Sequence, residues 1–484
     1  MRFLHRFRLL AFQFCVIFII SICAVRQTLA ENKLQRPHIV FLLTDDMGCG
    51  DVSCYSSGIG VPTPNIDRLA REGIRFTQFY VMAPICSPSR TGLLTGRFPA
   101  ELRITSFLQT RQGNRECNQN DYLDPDAPTL PDMLKSSGYK TAHIGKWHLG
   151  GGRDVDNAPS IGKYGYDEWI STWESPEPHP DLGVKYAPWD TQMEPGQAQR
   201  HDRTRYMVDK TLDFLRLNKE QPCYVSLWPD DTHTPHRPSP EMLKKYGGSK
   251  DDRKTPLKNF KGVLEEYDKQ IGRLLDGIRE LGIEENTIVI FTADNGPAPH
   301  LEHQRTAGLR GAKLSLYEGG IREPFLVRWP RIIPKGKVNE TTVLSGVDLF
   351  PTLCKLANVE IPLEVSKSLA GEDLSGAFFG ETPQRKKKIF WEYGGRRADG
   401  GGRPRDAFDR SPTVAIRDGK WKLLVEADGT NRQLYDIPAD PHETQNLYLK
   451  ETKIADELTS QVLTWRRSLP DRNHGAAAPR PNEK

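Results

Sequence analysis

The chain has 484 residues, of which 37% are hydrophobic and 27% are charged, a composition that indicates neither a disordered protein nor a membrane protein. Its length allows a large core and predicts two or more domains. Four of the 67 basic residues and none of the 63 acidic residues lie in residues 1–30, so the remainder is balanced at 63 of each sign. A neutral mature chain gives no reason to expect a nucleic acid or an anionic membrane as a partner.

The first thirty residues have the pattern of a signal peptide. Basic residues at Arg2–Arg8 precede an apolar run at Leu9–Ala24, and a small-residue cleavage site ends at Ala30. A membrane anchor is the alternative, but the run is shorter than the roughly 20 residues that a span needs. A lipoprotein anchor at Cys23 is disfavoured because the bulky Ile22 precedes it. We therefore predict cleavage after Ala30, no membrane attachment afterwards, and a secreted or periplasmic location (a lysosomal-type lumen in a eukaryote).

Six cysteines follow this segment, and their wide spacing is not that of a dense disulfide framework. They are Cys49, Cys54, Cys86, Cys117, Cys223 and Cys354. A Cys49–Cys54 bridge is open at this stage, because the sequence alone cannot establish the geometry of a disulfide.

The main part of the chain alternates strand patterns with helix patterns. His38–Thr44 (HIVFLLT) and Thr287–Thr292 (TIVIFT) are continuous apolar runs, typical of strands buried on both faces. The clearest helix is predicted from about Asn259 to Leu281, where apolar residues recur on one face. This rhythm predicts an α/β sheet covered by helices on both faces. Shorter elements are predicted as helices at 64–73 and 130–137 and as strands at 140–144 and 224–228.

The pattern changes after about Gly380, where short strands are separated by turn signals. The predicted strands are 389–393, 413–417, 421–425 and 433–435, and a helix is predicted at about 454–465. We therefore predict a signal peptide at 1–30, a catalytic domain at 31–380, a small antiparallel α+β subdomain at 381–470 and a polar tail at 471–484.

Acidic and amide residues follow the two most apolar strands. Asp45 and Asp46 come directly after the first, and Asp294 and Asn295 come directly after the TIVIFT strand. In open α/β sheets, ligands bind at the carboxyl ends of strands. If the strands lie near each other, four oxygen-bearing side chains converge, which suits Ca²⁺ or Mg²⁺ rather than zinc. Either pair alone is as well explained by turn formation.

The sharpest motif is CSPSRTGLLTGR at residues 86–97. Pro88 is suited to the first turn of a helix, which would place Cys86 at the positive N-terminal end. An isolated cysteine is more often a small buried apolar residue. The residues around Cys86 favour a functional role for this cysteine instead.

Cys86-Ser87-Pro88-Ser89-Arg90 followed by Thr91-Gly92 resembles the signature of type I sulfatases, in which the cysteine is oxidised to formylglycine. The resemblance extends in family order from about Pro37 to Pro330, and it is greatest to the arylsulfatase and N-acetylhexosamine-6-sulfatase branch. The other matching segments are Asp45-Asp46, GKWHLG at 145–150, DNG at 294–296, GAK at 311–313 and YEGGIREP at 317–324.

The resemblance implies a metal-assisted nucleophile. Formylglycine at position 86, as its hydrate, would attack sulfur and form a sulfate-ester intermediate. Calcium would be bound by Asp45, Asp46, Cys86, Asp294 and Asn295. A formylglycine-generating enzyme would be the partner during maturation.

The resemblance also assigns roles to the cations and histidines around that nucleophile. Arg90 would hold the hydrate, and Lys146 and Lys313 would bind the sulfate oxygens. His148 would be the base that releases sulfate. A histidine would protonate the departing alcohol, and His233 fits this role best within the segment DDTHTPHRP. His236 would be a further substrate contact.

The fold that the resemblance implies is the alkaline-phosphatase-like α/β sandwich, with a large mixed sheet flanked by helices and a small C-terminal antiparallel sheet carrying one helix. The expected activity is hydrolysis of a sulfate monoester, with a sulfated carbohydrate or aryl sulfate as substrate. The segment Thr172–Asp190, rich in Trp, Pro and His, either stacks on sugar rings or packs as an ordinary surface loop. The alternatives are a phosphomonoesterase or phosphonate hydrolase of the same superfamily and a non-catalytic glycan-binding homologue.

Overall fold

The computed structural model describes residues 36–56, 58–183, 196–299, 303–393 and 402–470. The predicted signal peptide, the polar tail and residues 184–190 of the Trp- and Pro-rich segment lie outside this part of the chain. The described residues form a large sheet and a small sheet, both packed against helices.

The strands of the large sheet are β1 (His38–Thr44), β2 (Ile74–Tyr80), β3 (Lys140–Gly145), β4 (Glu168–Ser171), β5 (Cys223–Trp228), β6 (Thr287–Ala293), β7 (Arg322–Arg328), β8 (Lys337–Asn339) and β9 (Leu344–Ser345). Those of the small sheet are β10 (Ile389–Glu392), β11 (Val414–Asp418), β12 (Trp421–Val425) and β13 (Gln433–Asp436). The helices are α1 (Pro64–Glu72), α2 (Cys86–Thr95), α3 (Arg111–Glu116), α4 (Leu130–Ser136), α5 (Arg203–Asn218), α6 (Pro240–Tyr246), α7 (Pro256–Glu280), α8 (Glu318–Ile321), α9 (Leu349–Leu356), α10 (Leu363–Ser368), α11 (Ser375–Phe378) and α12 (Thr452–Ser468).

The large sheet is mixed, with the order β4-β3-β5-β1-β6-β7-β2-β8, and β9 pairs with β2. The central run from β4 to β6 is parallel, whereas β7 is antiparallel to both of its neighbours. This confirms the expected α/β architecture. The arrangement places the carboxyl ends of β3, β5, β1 and β6 along one edge of the sheet.

The apolar runs predicted as doubly buried strands contribute to cores on both faces of this sheet. In β1, Ile39 and Phe41 belong to one hydrophobic cluster, and Val40 and Leu42 belong to the other. Side chains alternate between faces along a strand, so a continuous apolar run is stable only where both faces are covered. Helix α7 covers the second face through the apolar stripe predicted from its spacing.

The small antiparallel sheet has the order β10-β11-β12-β13, and helix α12 packs on it through Leu458 and Val462. Residues on its other side join the main core, where the Trp391 indole N–H donates to the Val81 carbonyl at 2.8 Å. The expected sheet with one helix is confirmed, whereas the boundary at residue 380 stays a prediction.

All six cysteines of the described part of the chain are free thiols, so a Cys49–Cys54 bridge is not formed. Burial raises the pKa of Cys49 and raises that of Cys54 to about 12. Among the described residues, no helix has both the length and the apolar character needed to cross a membrane.

Candidate active site

The carboxyl ends of β1 and β6 meet at one edge of the large sheet. The two strands pair in parallel with Thr44 opposite Ala293, so the polar segments that follow them leave the sheet side by side. The backbone N–H of Asp294 donates to the Thr44 carbonyl at 3.0 Å, and the N–H of Asp46 donates to the Asp294 carboxylate at 3.2 Å. The two segments therefore converge on one point.

Cys86 is the first residue of α2, with Pro88 in the first turn. Unpaired backbone N–H groups at this end of a helix favour an anionic group. The buried sulfur lies 3.6 Å from Asp45 Oδ1, 3.5 Å from Lys146 Nζ and 3.7 Å from Lys313 Nζ. Burial raises the pKa of the thiol by more than the two lysines lower it. An unmodified cysteine here is therefore protonated and a poor nucleophile.

Arg90 lies one turn further along the same helix and is fully buried. Its Nε and Nη2 donate to Asp294 Oδ2 at 2.9 and 2.7 Å, and its Nη1 donates to the Lys146 carbonyl at 2.7 Å. Its Nη2 also lies 3.6 Å from Asp45 Oδ2. The guanidinium therefore holds the Cys86 helix against both acidic segments and against the segment after β3.

Two largely buried ammonium groups lie beside the sulfur. Lys146 Nζ donates to Asp45 at 2.7 Å, and Lys313 Nζ donates to both carboxylate oxygens of Asp46 at 2.6 and 2.9 Å. The backbone N–H of Lys313 donates to the Pro297 carbonyl at 3.0 Å, which anchors its segment next to the second polar segment. Both lysines, predicted from separate motifs, therefore reach the same point from different sides.

The backbone at this edge adopts conformations that few residues tolerate. Asp46 and His148 both have φ of 54°, in the left-handed region that non-glycine residues rarely occupy. Gly145 has φ of 120°, and a Cβ on it would lie 2.1 Å from the Trp228 carbonyl oxygen. Only glycine therefore fits before Lys146, which explains the first position of the GKWHLG motif. Such conformations are concentrated at functional sites.

The oxygen-rich centre fits a divalent cation. Ligand atoms of Asp45, Asp46, Cys86 and His233 all lie within 4.8 Å of one another. Asn295 donates its Nδ2 to Asp46 at 2.7 Å, while its Oδ1 is buried with no hydrogen-bond partner among the described residues. A buried acceptor that lacks a donor and lies beside carboxylates is suited to a hard cation.

The electrostatics of the cluster also favour added positive charge. Burial and the neighbouring Asp45 raise the pKa of Asp294 to about 6, although Arg90 opposes them. Burial would raise the pKa of Asp45 as well, but Lys146 and His233, with Arg90, outweigh it and hold that pKa well below its usual range. Carboxylates this close are stable together only because cations surround them.

His148 lies two residues after Lys146, on the segment that follows β3. Its Nε2 is 3.0 Å from the Leu108 carbonyl and 3.4 Å from Glu174 Oε2, and its buried Nδ1 has no hydrogen-bond partner among the described residues. Because a carbonyl only accepts, Nε2 carries the hydrogen and Nδ1 offers a lone pair. Burial lowers the pKa of His148 to about 3, so the ring is neutral at ordinary pH.

Glu174 is a site residue that the sequence did not reveal. It is buried, its backbone carbonyl accepts from the His148 N–H at 3.0 Å, and its Oε1 accepts from Arg153 at 2.7 Å. Burial acts to raise its pKa, but His148, Lys146 and Arg153 together lower it to about 2. A single glutamate 26 positions after its partner produces no local pattern, and the sequence predicts its segment only as a sugar-stacking or an ordinary surface loop.

His233 and His236 lie on the loop that follows β5. His233 Nε2 is 3.7 Å from Asp46 Oδ2, and its Nδ1 lies 2.6 Å from the Thr234 carbonyl. His236 is fully buried, with Nε2 3.1 Å from the Thr232 carbonyl and Nδ1 3.7 Å from Asp252. The structure brings His233 to the cluster and places His236 behind it, so direct substrate contact by His236 stays a prediction.

The fold and the residues at the carboxyl ends of β1 and β6 define the active site of a hydrolase that acts on a tetrahedral oxyanion. The buried first residue of α2 lies beside two ammonium groups and a group of oxygen ligands that can bind a cation. Residues 37–359 match the family described as Sulfatase, and residues 312–468 match the family described as N-sulphoglucosamine sulphohydrolase, C-terminal. The chain therefore belongs to the sulfatase family. Hydrolysis of sulfate esters is confirmed as its activity, and the two alternatives from the sequence are disfavoured.

Similar proteins cover most of the chain. N-acetylgalactosamine-6-O-sulfatase of Bacteroides thetaiotaomicron is 28% identical over 508 residues, covering 88% of this chain and 92% of that protein. Human arylsulfatase A is 30% identical over 452 residues, covering 87% and 81%. The crystal structure of Ps i-CgsB, which is also solved in complex with k-i-k-neocarrahexaose, has a TM-score of 0.73 and 25% identity, covering 91% of this chain and 94% of that one. The family implies a divalent metal and formylglycine.

Proposed function

We propose that this sulfatase acts on sulfated carbohydrates, with residue 86 converted to formylglycine and Ca²⁺ as the divalent metal. One observation carries the proposal: the Cys86 sulfur lies within 3.7 Å of one carboxylate and two ammonium groups at the start of a buried helix. Formylglycine supplies, as its hydrate, one hydroxyl that attacks sulfur and a second hydroxyl that allows sulfate to leave. A serine at this position would offer only one hydroxyl.

The cations bind the sulfate group and hold it in place. Lys146 and Lys313 face residue 86 from two sides, so their ammonium groups neutralise sulfate oxygens on which charge develops. Arg90 is fixed by Asp294 and by the Lys146 carbonyl, and it orients the oxygen at residue 86 through the same rigid frame. Because all three cations are held before substrate binds, little reorganisation is needed during the reaction.

His148 is the base for sulfate release in this proposal. Its neutral ring directs Nε2–H to the Leu108 carbonyl and Glu174, which leaves the Nδ1 lone pair to accept a proton from residue 86. Glu174 stabilises the imidazolium that forms, and Arg153 holds Glu174 in place.

His233 is the acid that protonates the departing alcohol. Its Nδ1 donates to the Thr234 carbonyl, so Nε2 is the atom directed to the cluster beside Asp46, and it has a proton to give only when the ring is doubly protonated. Burial and Lys313 lower the pKa of His233 to about 4 in the free enzyme, and the negative charge of a bound sulfate ester would raise it again. The side chain is 13% exposed, and a bulky alcohol therefore has access to it. An alcohol that leaves as an alkoxide is a poor leaving group, so this proton lowers the barrier.

Calcium is proposed for the oxygen-rich centre, with Asp45, Asp46, Asp294, Asn295 and residue 86 as its ligands. Carboxylate and amide oxygens are hard ligands, and calcium accepts them in larger and less regular sets than magnesium does. The unpartnered Oδ1 of Asn295 supports its place in this set. The bound ion would supply positive charge for a sulfate oxygen and for the attacking hydroxyl.

The names of the relatives support a sulfated carbohydrate as substrate, since one acts on N-acetylgalactosamine 6-sulfate groups and another binds a neocarrahexaose. We propose a formylglycine-generating enzyme as the maturation partner. We further propose a secreted or periplasmic protein without a membrane or nucleic-acid partner, on the basis of the basic-apolar pattern of residues 1–30 and the neutral remainder.

Residue 86 provides the test. Mass spectrometry of the tryptic peptide 76–90 from active enzyme should detect the aldehyde, and Cys86→Ala should reduce kcat for an aryl sulfate by about 10³-fold or more. Cys54→Ala, which removes a half-buried thiol that is not part of the cluster, is the matched control and should retain activity. Unmodified thiol in a fully active preparation, or full activity in Cys86→Ala, would contradict the proposal.

A further inference from the structure

We propose that a cationic cleft beside the His233 loop binds a second anionic group, a carboxylate or a second sulfate, on the sugar next to the one that loses its sulfate. This inference rests on the proposed carbohydrate substrate. The cleft has a volume of about 350 Å³, which is within the range of small-molecule sites. Its charged and titratable lining residues are Arg200, His201, His236, Arg237 and Lys250.

The cleft is connected to the proposed acid through the loop that carries His233. Arg200 lines it and donates from Nη2 to the His233 carbonyl at 3.1 Å. His236, which also lines it, lies three residues after His233 on the same loop. His233 is the proposed acid for the departing alcohol, so the proposal places the sugar attached to that alcohol against this wall.

The charge of the cleft is unbalanced. No aspartate or glutamate is among its lining residues in the described part of the chain. Arg200 is neutralised by Asp230, whose carboxylate accepts from Nη1 at 2.6 Å. Asp252 lies 3.7 Å from His236 and attracts Arg237 from a longer distance, but neither Arg237 nor Lys250 forms an ion pair within 4.0 Å with a described carboxylate.

Arg237 has the strongest signature of an anion ligand. Its Nη1 makes only a long 3.5 Å contact with the His236 carbonyl, and its Nη2 donates to no described residue. A guanidinium presents several donors in a fork that matches carboxylate and sulfate oxygens. An oxyanion in the cleft would satisfy donors that the described residues leave unsatisfied.

A neighbouring cavity shows why the assignment is specific to this cleft. That cavity, of about 680 Å³, is also lined by Arg237, but it contains Asp251 and Asp252 together with Arg253. Its two carboxylates repel an anion, so this cavity offers no comparable attraction for one.

The test uses three disaccharides that share one target sulfate and differ in the neighbouring sugar, which is neutral, carries a uronate carboxylate, or carries a second sulfate. We expect wild-type kcat/KM to be about 10- to 100-fold higher for at least one charged disaccharide than for the neutral one, the range of a hydrogen-bonded charge pair. The preference should lie mainly in KM and decrease with added salt. The two charged substrates distinguish a carboxylate from a sulfate.

In Arg237→Ala the ratio of charged to neutral kcat/KM should fall towards one, and Arg237→Lys should retain part of it. Arg216→Ala, which removes an exposed arginine of α5 outside the cleft, should retain the wild-type ratio. Both substrates are assayed with the same preparation of each variant, so the fraction of folded enzyme cancels in the ratio. Partial unfolding therefore cannot produce the expected fall in the ratio. A wild-type ratio near one, no cleavage of either charged disaccharide, or an unchanged ratio in Arg237→Ala overturns the cleft assignment. If the enzyme still hydrolyses an aryl sulfate in any of these cases, the proposed function is retained and only the cleft assignment fails. If it does not hydrolyse an aryl sulfate, the result counts against the proposed function.

Discussion

Replacing Glu174 by glutamine tests whether a buried carboxylate assists His148. The substitution keeps the size and shape of the side chain and removes its charge. Glu174 Oε2 lies 3.4 Å from His148 Nε2, and unit charges at this distance interact by about 5 kcal/mol at an effective dielectric constant near 20. Arg153 neutralises part of that charge at 2.7 Å, and the Leu108 carbonyl continues to orient the ring. We therefore expect a net loss of about 1.5–3 kcal/mol in the transition state, which is a 10- to 100-fold decrease in kcat.

The assay is steady-state hydrolysis of an aryl sulfate by Glu174→Gln. KM should change little, because Glu174 acts through His148. Glu177→Gln, which neutralises an exposed carboxylate three residues further on, is the matched control. The midpoint of thermal unfolding should be measured for both variants, since a purely structural effect would lower it.

The pH dependence of this loss follows from two pKa values. Burial lowers the pKa of His148 to about 3, and the pKa of Glu174 is lowered to about 2 because nearby cations outweigh its burial. The histidine is therefore neutral and the glutamate charged at every pH above about 4. The decrease in kcat should then be equal at pH 5 and pH 8. A kcat within about twofold of wild type, or a loss confined to one end of this range, would refute the reasoning.

Two further predictions concern stability and the metal. Lys422→Met should destabilise the fold by about 3–5 kcal/mol in urea unfolding. The fully buried Lys422 pairs with Glu318 at 2.9 Å and with Glu443 at 3.0 Å. Its loss leaves Glu443 without an ion pair among the described residues and Glu318 with only the longer contact to Arg322 at 3.4 Å. The exposed Lys420→Met is its control, and equal stability of the two variants would contradict the prediction. Removal of divalent ions with a chelator should abolish turnover, and Ca²⁺ should restore it better than Mg²⁺. Retained activity in the metal-free enzyme, or better recovery with Mg²⁺, would argue against the calcium site.

Much of the fold follows from local patterns. Continuous apolar runs predicted β1 and β6 to within one residue, because a strand buried on both faces has no polar alternation to obscure it. The sequence likewise predicted the apolar face of α7 and the position of Pro88 in the first turn of α2. Residues close in the chain determine these features, so the sequence is sufficient to predict them.

The active site could be predicted only in part. Each motif predicted residues with a catalytic or metal-binding role, and the family resemblance predicted that they form one site. The sequence does not show that the strands before Asp45 and Asp294 are neighbours, and their convergence depends on that. The structure pairs β1 directly with β6, which brings Asp45 and Asp294 together, and Cys86, Lys146 and Lys313 reach the same point from three other segments.

The sequence by itself determined the strand and helix patterns, the charge balance and the residues with chemistry to offer. Only the tertiary structure decided which of them meet. Three features each join residues that are distant in the sequence. They are the pair of Glu174 with His148, the contact of Lys422 with two glutamates, and the cationic cleft at Arg237. The physical reason is that charge compensation is a property of three-dimensional neighbours, and no spacing along the chain records it.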